Sequence, residues 1–253
     1  MDSADHLKYL AADLARFQEV AARDLAAPVP TCPGWTVTDL VLHVANAYVN
    51  VVVPQLRLPE QVPAQDLTGP DPLTALQHAY GILTKEFAAH EGRDHSGQDE
   101  AGTASFWARR MAQETVIHRI DAELAVAEPS ALIPAAFAVD CIDEYLTVVL
   151  VHETQDWTQQ YASDLSDWGQ RWLLVSAGAA RWRIGLRPQG ADAAPLHSPP
   201  EPSEVPAAGV SGDADPLLRW MYNRGGMGQV TTTGDDSMTA QFRRLLTAVM
   251  GTS

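Results

Sequence analysis

SFWARRMAQETVIHRIDAELAVA, Ser105 to Ala127, contains neither glycine nor proline and reads as the strongest helix of the chain. Pro129 and Pro134 stop it and restart a fifth helix, from about Ala135 to His152. On the other side lies His90 to Gly102, polar and glycine-containing, which reads as a loop. Glu114 and His118 stand four residues apart in the helix and so fall on one face. A carboxylate oxygen and an imidazole nitrogen so placed can meet one cation at ~2.0–2.2 Å.

Upstream, the pattern predicts three more helices. Leu7, Leu10, Leu14, Phe17 and Val20 recur at helical spacing over about Ser3 to Leu25. Thr36 can cap the second helix, with Asp39 as the acidic half of a capping box. Leu40, Val44, Ala47 and Val51 line one face of it, and His43 shares that phase, so it points inward. A proline-rich loop, Pro54 to Pro70, follows. Asp71-Pro72 then opens a third helix to about Phe87, carrying Leu76, Tyr80, Leu83 and Phe87. Phe137, Cys141, Tyr145 and Val148 give the fifth helix its apolar face.

Composition changes after about Asp156. Arg171–Ser176 and Ala180–Arg187 read as strands joined by a turn at Gly178, with a Pro/Ala-rich loop from Pro188 to Ala208. Val210 to Gly212 and Val230 to Thr233 are further short strands. Helices are expected from Asp215-Pro216 to Met221 or Tyr222 and from Asp236 to Met250. The expected fold class is α+β: a helical bundle of four plus an extra element over 1–155, and a smaller α/β domain over 156–253.

Bulk properties narrow the function. The 253 residues carry 17 basic and 32 acidic side chains, a formal charge of −15, with no helix-turn-helix or basic stripe. Nucleic acid and anionic membrane are therefore poor partners, and a small-molecule substrate fits better. Two cysteines, Cys32 and Cys141, exclude a disulfide framework and suit a cytoplasmic setting. The N-terminus is too polar for a signal peptide, and Asn50 and Pro54 interrupt the most apolar stretch, around Tyr48 to Val53.

Packing the second helix on the fourth would bring His43, Glu114 and His118 together. Two imidazoles and a carboxylate suit zinc, with iron, manganese or nickel as alternatives, and three protein ligands leave positions open for catalysis. Spacing alone keeps a second reading open: Glu-x-x-x-His also occurs as an exposed helical pair, and an inward histidine is often a hydrogen-bonded core residue.

Two runs decide between these readings. TCPGWTVTDLVLH, Thr31 to His43, and ETVIHRIDAE, Glu114 to Glu123, together resemble the signatures of the mycothiol-dependent maleylpyruvate isomerase family, a branch of the DinB-like metalloenzymes. The resemblance implies that His43, Glu114 and His118 are zinc ligands on a DinB-like four-helix bundle followed by a smaller α/β domain. It implies mycothiol, or another low-molecular-weight thiol, as cofactor for cis–trans isomerisation of, or S-transfer to, a small electrophile. Its Trp-Leu-x-Gly-Arg motif matches Trp220-Met221-Tyr222-Asn223-Arg224, making Arg224 the candidate catalytic arginine, with Asn223 replacing the usual glycine. The alternative for Arg224 is an arginine favoured by a helix C-terminus. Asp121 can accept a hydrogen bond from an imidazole or anchor Arg119, both behind the ligands, or form an ordinary helical ion pair. Trp35 and Cys32 read as packing residues of the loop, and His90 and His95 as surface residues. Competing functions are a DinB-like metalloenzyme of specialised metabolism using another nucleophile or water, and a non-catalytic, metal-stabilised binding module.

Overall fold

The computed structural model describes residues 1–69, 71–90, 103–200, 204–225 and 229–250. His95, Gly226 and Gly228, and most of the loop expected between His90 and Gly102, lie outside the described residues. Two compact units divide the chain, Met1–Ala131 and Leu132–Ser253.

In the first unit, α1 (Ser3–Ala21) starts at Asp2, whose side chain accepts from the Asp5 backbone N–H at 2.8 Å. Leu10, Leu14, Phe17 and Val20 are fully or almost fully buried along one stripe. The expected helix ran to Leu25; it ends at Ala21 instead. α2 (Val37–Asn46) begins at the expected capping box: Thr36 Oγ1 accepts from Asp39 N–H, and Asp39 accepts from Thr36 N–H at 2.8 Å. It runs on through a π-helical turn (Ala47–Val52) into α3 (Val53–Leu56). α4 (Pro72–His90) opens with Asp71 accepting from Thr74 N–H at 3.0 Å. α5 (Ala104–Ala125) is capped by Thr103.

The π turn changes which residues face inward. Its wider i→i+5 ring, closed by Val53 N–H to Tyr48 O, adds a residue to the turn. Tyr48, Val49 and Val52 are therefore buried, while Val51, expected on the inner face, is 45% exposed. The same turn lets the helix pass Pro54, which has no N–H to give. Val37–Leu56 is thus a 20-residue helix, long and apolar enough by length and composition to cross a membrane; half of its most apolar 18-residue window is buried inside the protein, and the helix packs on α4 and α5.

α1 packs along α5, and α2 packs on both α4 and α5. Tyr48 reinforces the second of these contacts. Thr115 Oγ1 donates to Met111 O at 2.6 Å, so the Tyr48 hydroxyl donates to Thr115 Oγ1, also at 2.6 Å.

In the second unit, α6 (Ala135–Glu144), a π turn (Tyr145–Leu150) and α7 (Val151–Asp156) form a continuous helix. This helix, assigned from sequence to the bundle, has its neighbours in the second unit: α6 packs on α8 (Ala214–Met221), and α7 on β3 (Gly190–Pro195). The unit boundary therefore falls before Leu132, ahead of the change in composition. Here too the π turn shifts the phase, burying Leu146 and Leu150 in place of Val148.

The sheet has the order β3-β2-β1-β4-β5, built also from β1 (Leu173–Ala177), β2 (Ala180–Arg187), β4 (Ala208–Gly212) and β5 (Val230–Gly234). Only the β1–β4 pair is parallel. β3 lies within the stretch read as loop. Its Gly, Ala and Asp residues have weak strand preference, and its place at the sheet edge needs little more. α9 (Asp236–Met250) covers β4 and β5 with Phe242, Leu245, Leu246 and Val249 fully buried.

Because the capping box sets the start of the helix that carries His43, Thr36→Ala is expected to cost about 1 kcal/mol, read as a lower urea midpoint.

Candidate metal centre

α5 supplies Glu114 and His118 from successive turns, and α2 supplies His43. His118 Nε2 lies 2.9 Å from Glu114 Oε1, and His43 Nε2 lies 3.3 Å from the same oxygen. The two imidazoles meet edge to face, ring centroids 4.9 Å apart. All three ligand atoms fall within 4.8 Å of one another, and no other such group of three or more His, Cys, Asp or Glu side chains occurs among the described residues. Ligands at ~2.0–2.1 Å on a tetrahedral cation stand roughly 3.3 Å apart, and the two separations from Glu114, 2.9 and 3.3 Å, lie near that value.

Partners behind the cluster fix its chemistry. Asp121, fully buried, takes His118 Nδ1 at 3.0 Å through Oδ2, which leaves Nε2 facing Glu114. Thr31 Oγ1 donates to the other Asp121 oxygen at 2.5 Å. Arg110 donates to Glu114 Oε2 at 3.1 Å, leaving Oε1 to the histidines. Trp35 stands against His43 with ring centroids 5.0 Å apart.

Burial works against the Glu114 carboxylate, but the His118 imidazolium and Arg110 outweigh it and hold its pKa well below the usual carboxylate range. Burial likewise lowers His118, yet Glu114 and the Asp121 hydrogen bond raise it to about 9. Without a cation, then, a proton on His118 balances Glu114.

The other expected site residues lie elsewhere. Arg119 is adjacent to His118, about 100° around the helix, and reaches towards α1: its Nε is 2.7 Å from Asp13 Oδ1, and it donates to Glu123 at 2.7 Å and to Ala131 O at 3.2 Å. Asp13 is pushed up to about 6 because burial outweighs Arg119. Arg224 belongs to the second unit, where it is buried and donates to Tyr222 O at 2.6 Å. Asn223 has φ 56°, and the Asn223 and Arg224 amides close the end of α8 onto Trp220 O and Arg219 O. That left-handed position at a helix end favours glycine and accepts asparagine best among the rest, which accounts for the departure at 223. His90 bonds to Glu86 O, and His152 pairs with Asp156.

Sequence reasoning did not find Thr31, Arg110 or the contact of Trp35 with His43. Arg110 carried a signal, its spacing of four from Glu114; Thr31 opens the run that ends at His43, but nothing in that run points to Asp121.

Residues 7–123 match the family model described as the mycothiol maleylpyruvate isomerase N-terminal domain. Residues 7–123 thus carry a domain of this family. Two solved structures share its fold, that of the mycothiol-dependent maleylpyruvate isomerase at 17% identity and that of a histidine-to-alanine mutant at 16%. Each has a TM-score of 0.56 and covers 92% of this chain and 93% of the other. No curated protein matches the chain. The family model ends at Glu123, so it spans all three residues of the cluster but not Arg224.

The raised His118 pKa sets a pH dependence. In the metal-free protein its stabilising effect is fully present below pH 6.5 and is lost as pH rises through about 9. A cation bound there would replace that proton. The increase in Tm on adding zinc is therefore expected to grow from pH 6.5 to 9; thermal unfolding with and without zinc checks this.

Proposed function

We propose that the chain is a metal-dependent enzyme that uses a thiol, with mycothiol the best candidate, to isomerise a small cis alkene or transfer sulfur to an electrophile. The observation that carries this reading is the donor set itself, two imidazoles and one carboxylate converging within a domain of the mycothiol maleylpyruvate isomerase family. On this reading His43, Glu114 and His118 are the ligands, zinc is the preferred metal, and α1, α2, α4 and α5 form a DinB-like four-helix bundle.

A divalent cation there would supply Lewis acidity that lowers the pKa of a thiol. The residues do the rest. Glu114 is the single anion among the three ligands, so the site retains positive charge and favours an anionic fourth partner such as a thiolate. Asp121 holds His118 with Nε2 forward, and Arg110 keeps one Glu114 oxygen turned away from the histidines. The side chains of His43, Glu114 and His118 are 25%, 13% and 11% exposed, which leaves an approach for a small molecule. A thiol cofactor and two cysteines retained as thiols both suit a cytoplasmic enzyme.

Metal analysis by plasma mass spectrometry on wild type and His118→Ala tests the site. About one zinc per chain is expected in wild type, with loss in the variant. Cis–trans conversion of a small unsaturated dicarboxylate should then require both zinc and mycothiol. Near-zero metal in both proteins after zinc is supplied would overturn the reading.

The role proposed for Arg224 rests on the Trp220–Arg224 motif alone. If it stabilises developing negative charge, Arg224→Ala lowers kcat by about 10²-fold; an unchanged kcat assigns it to the helix end.

A further inference from the structure

We infer that Thr31 is a positioning residue for the metal centre, acting on His118 through Asp121; this rests on the reading of His43, Glu114 and His118 as ligands. The Asp121 carboxylate is fully buried, and a buried charge needs its lone pairs filled. Thr31 Oγ1 donates to Oδ1 at 2.5 Å, while Oδ2 accepts from His118 Nδ1 at 3.0 Å. The two contacts occupy opposite oxygens, so they fix the plane of the carboxylate as well as its position. A carboxylate fixed in that way accepts from Nδ1–H, so Nε2 is the nitrogen left to face Glu114, 2.9 Å away.

Thr31 itself is held by its loop. Cys32 N–H donates to Val29 O, Val29 N–H to Trp35 O at 2.9 Å, and Trp35 N–H to Cys32 O at 3.0 Å; Pro28 bridges Thr36 beside them. Four residues after Thr31, Trp35 stands against His43. One short loop therefore touches both imidazoles, His118 through the Thr31–Asp121 pair and His43 through the Trp35 ring. The loop aligns two ligands that arise from different helices, and the Thr31 hydroxyl is the atom that transmits this to α5.

The test compares wild type, Thr31→Val and Thr31→Ser. Zinc dissociation constants come from competition with a chromophoric chelator, and the His118 tautomer from ¹⁵N shifts of the zinc-loaded protein. Thr31→Val keeps the volume and removes the donor; a 10- to 100-fold weaker zinc affinity is expected, with a mixed His118 tautomer. Thr31→Ser, which restores the hydroxyl, should recover both. Wild-type affinity and tautomer in Thr31→Val would overturn the inference while leaving the metal reading intact. A wild-type protein that binds no zinc overturns both. If Thr31→Val also lowers the Tm of the metal-free protein, Thr31→Ser decides: recovered zinc affinity supports positioning by the hydroxyl, and unrecovered affinity overturns it.

Discussion

The middle of α5 is buried although it carries His118, Arg119, Asp121 and Glu123, and much of the first unit follows from that constraint. Water solvates none of these groups well, so each must find its partner inside the protein. Two separate sets of partners result. On the side towards α1, Arg119 and Glu123 pair with each other and with Asp13 and Arg16, and Ser130 donates to Glu123. On the other side, Asp121 lies between Thr31 and His118, and His118 meets Glu114. The first set is closed by residues of opposite charge. The second leaves an anionic carboxylate and two imidazole nitrogens facing one point, which is what a cation needs.

That difference gives α5 two functions. Its closed side fixes the helix against α1, so Glu114 and His118 have little freedom to drift. On the proposed reading, its open side presents ligands whose geometry would be settled before any ion arrives, with a proton on His118 holding the place of the charge. Preorganisation of this kind lowers the cost of assembling a site on binding.

What the sequence disclosed was mostly local. The capping box at Thr36 and Asp39, the Asp71-Pro72 start and the uninterrupted run from Ser105 each depend on residues a few positions apart, and the structure has all three features. The convergence of His43 with Glu114 was readable because helical phase marked His43 as inward. The rest depended on features without a local pattern. Val51 and Val148 were misassigned because a π turn alters the period on which the pattern is read. The edge strand β3 is made of residues that prefer turns. Arg119 has a choice of carboxylates, and burial on the α1 side decided it. Thr31 and Asp121 are 90 residues apart, and nothing in either position announces the other.

The π turn after His43 makes the second helix two rotors joined by a spacer. Ahead of it, the helix is aimed by His43 at Glu114 and, as the turn opens, by Tyr48 at Thr115; beyond it, Val53 and Leu56 are buried. Five positions along one helix thus address consecutive positions on the other. Loss of a single residue between 47 and 52 would leave the helix almost as long but turn its two halves against each other by about 100°. In the history of such a chain, length at this point is set by angle, and a deletion tolerated in any surface loop would here disengage either the histidine or the buried Val53 and Leu56.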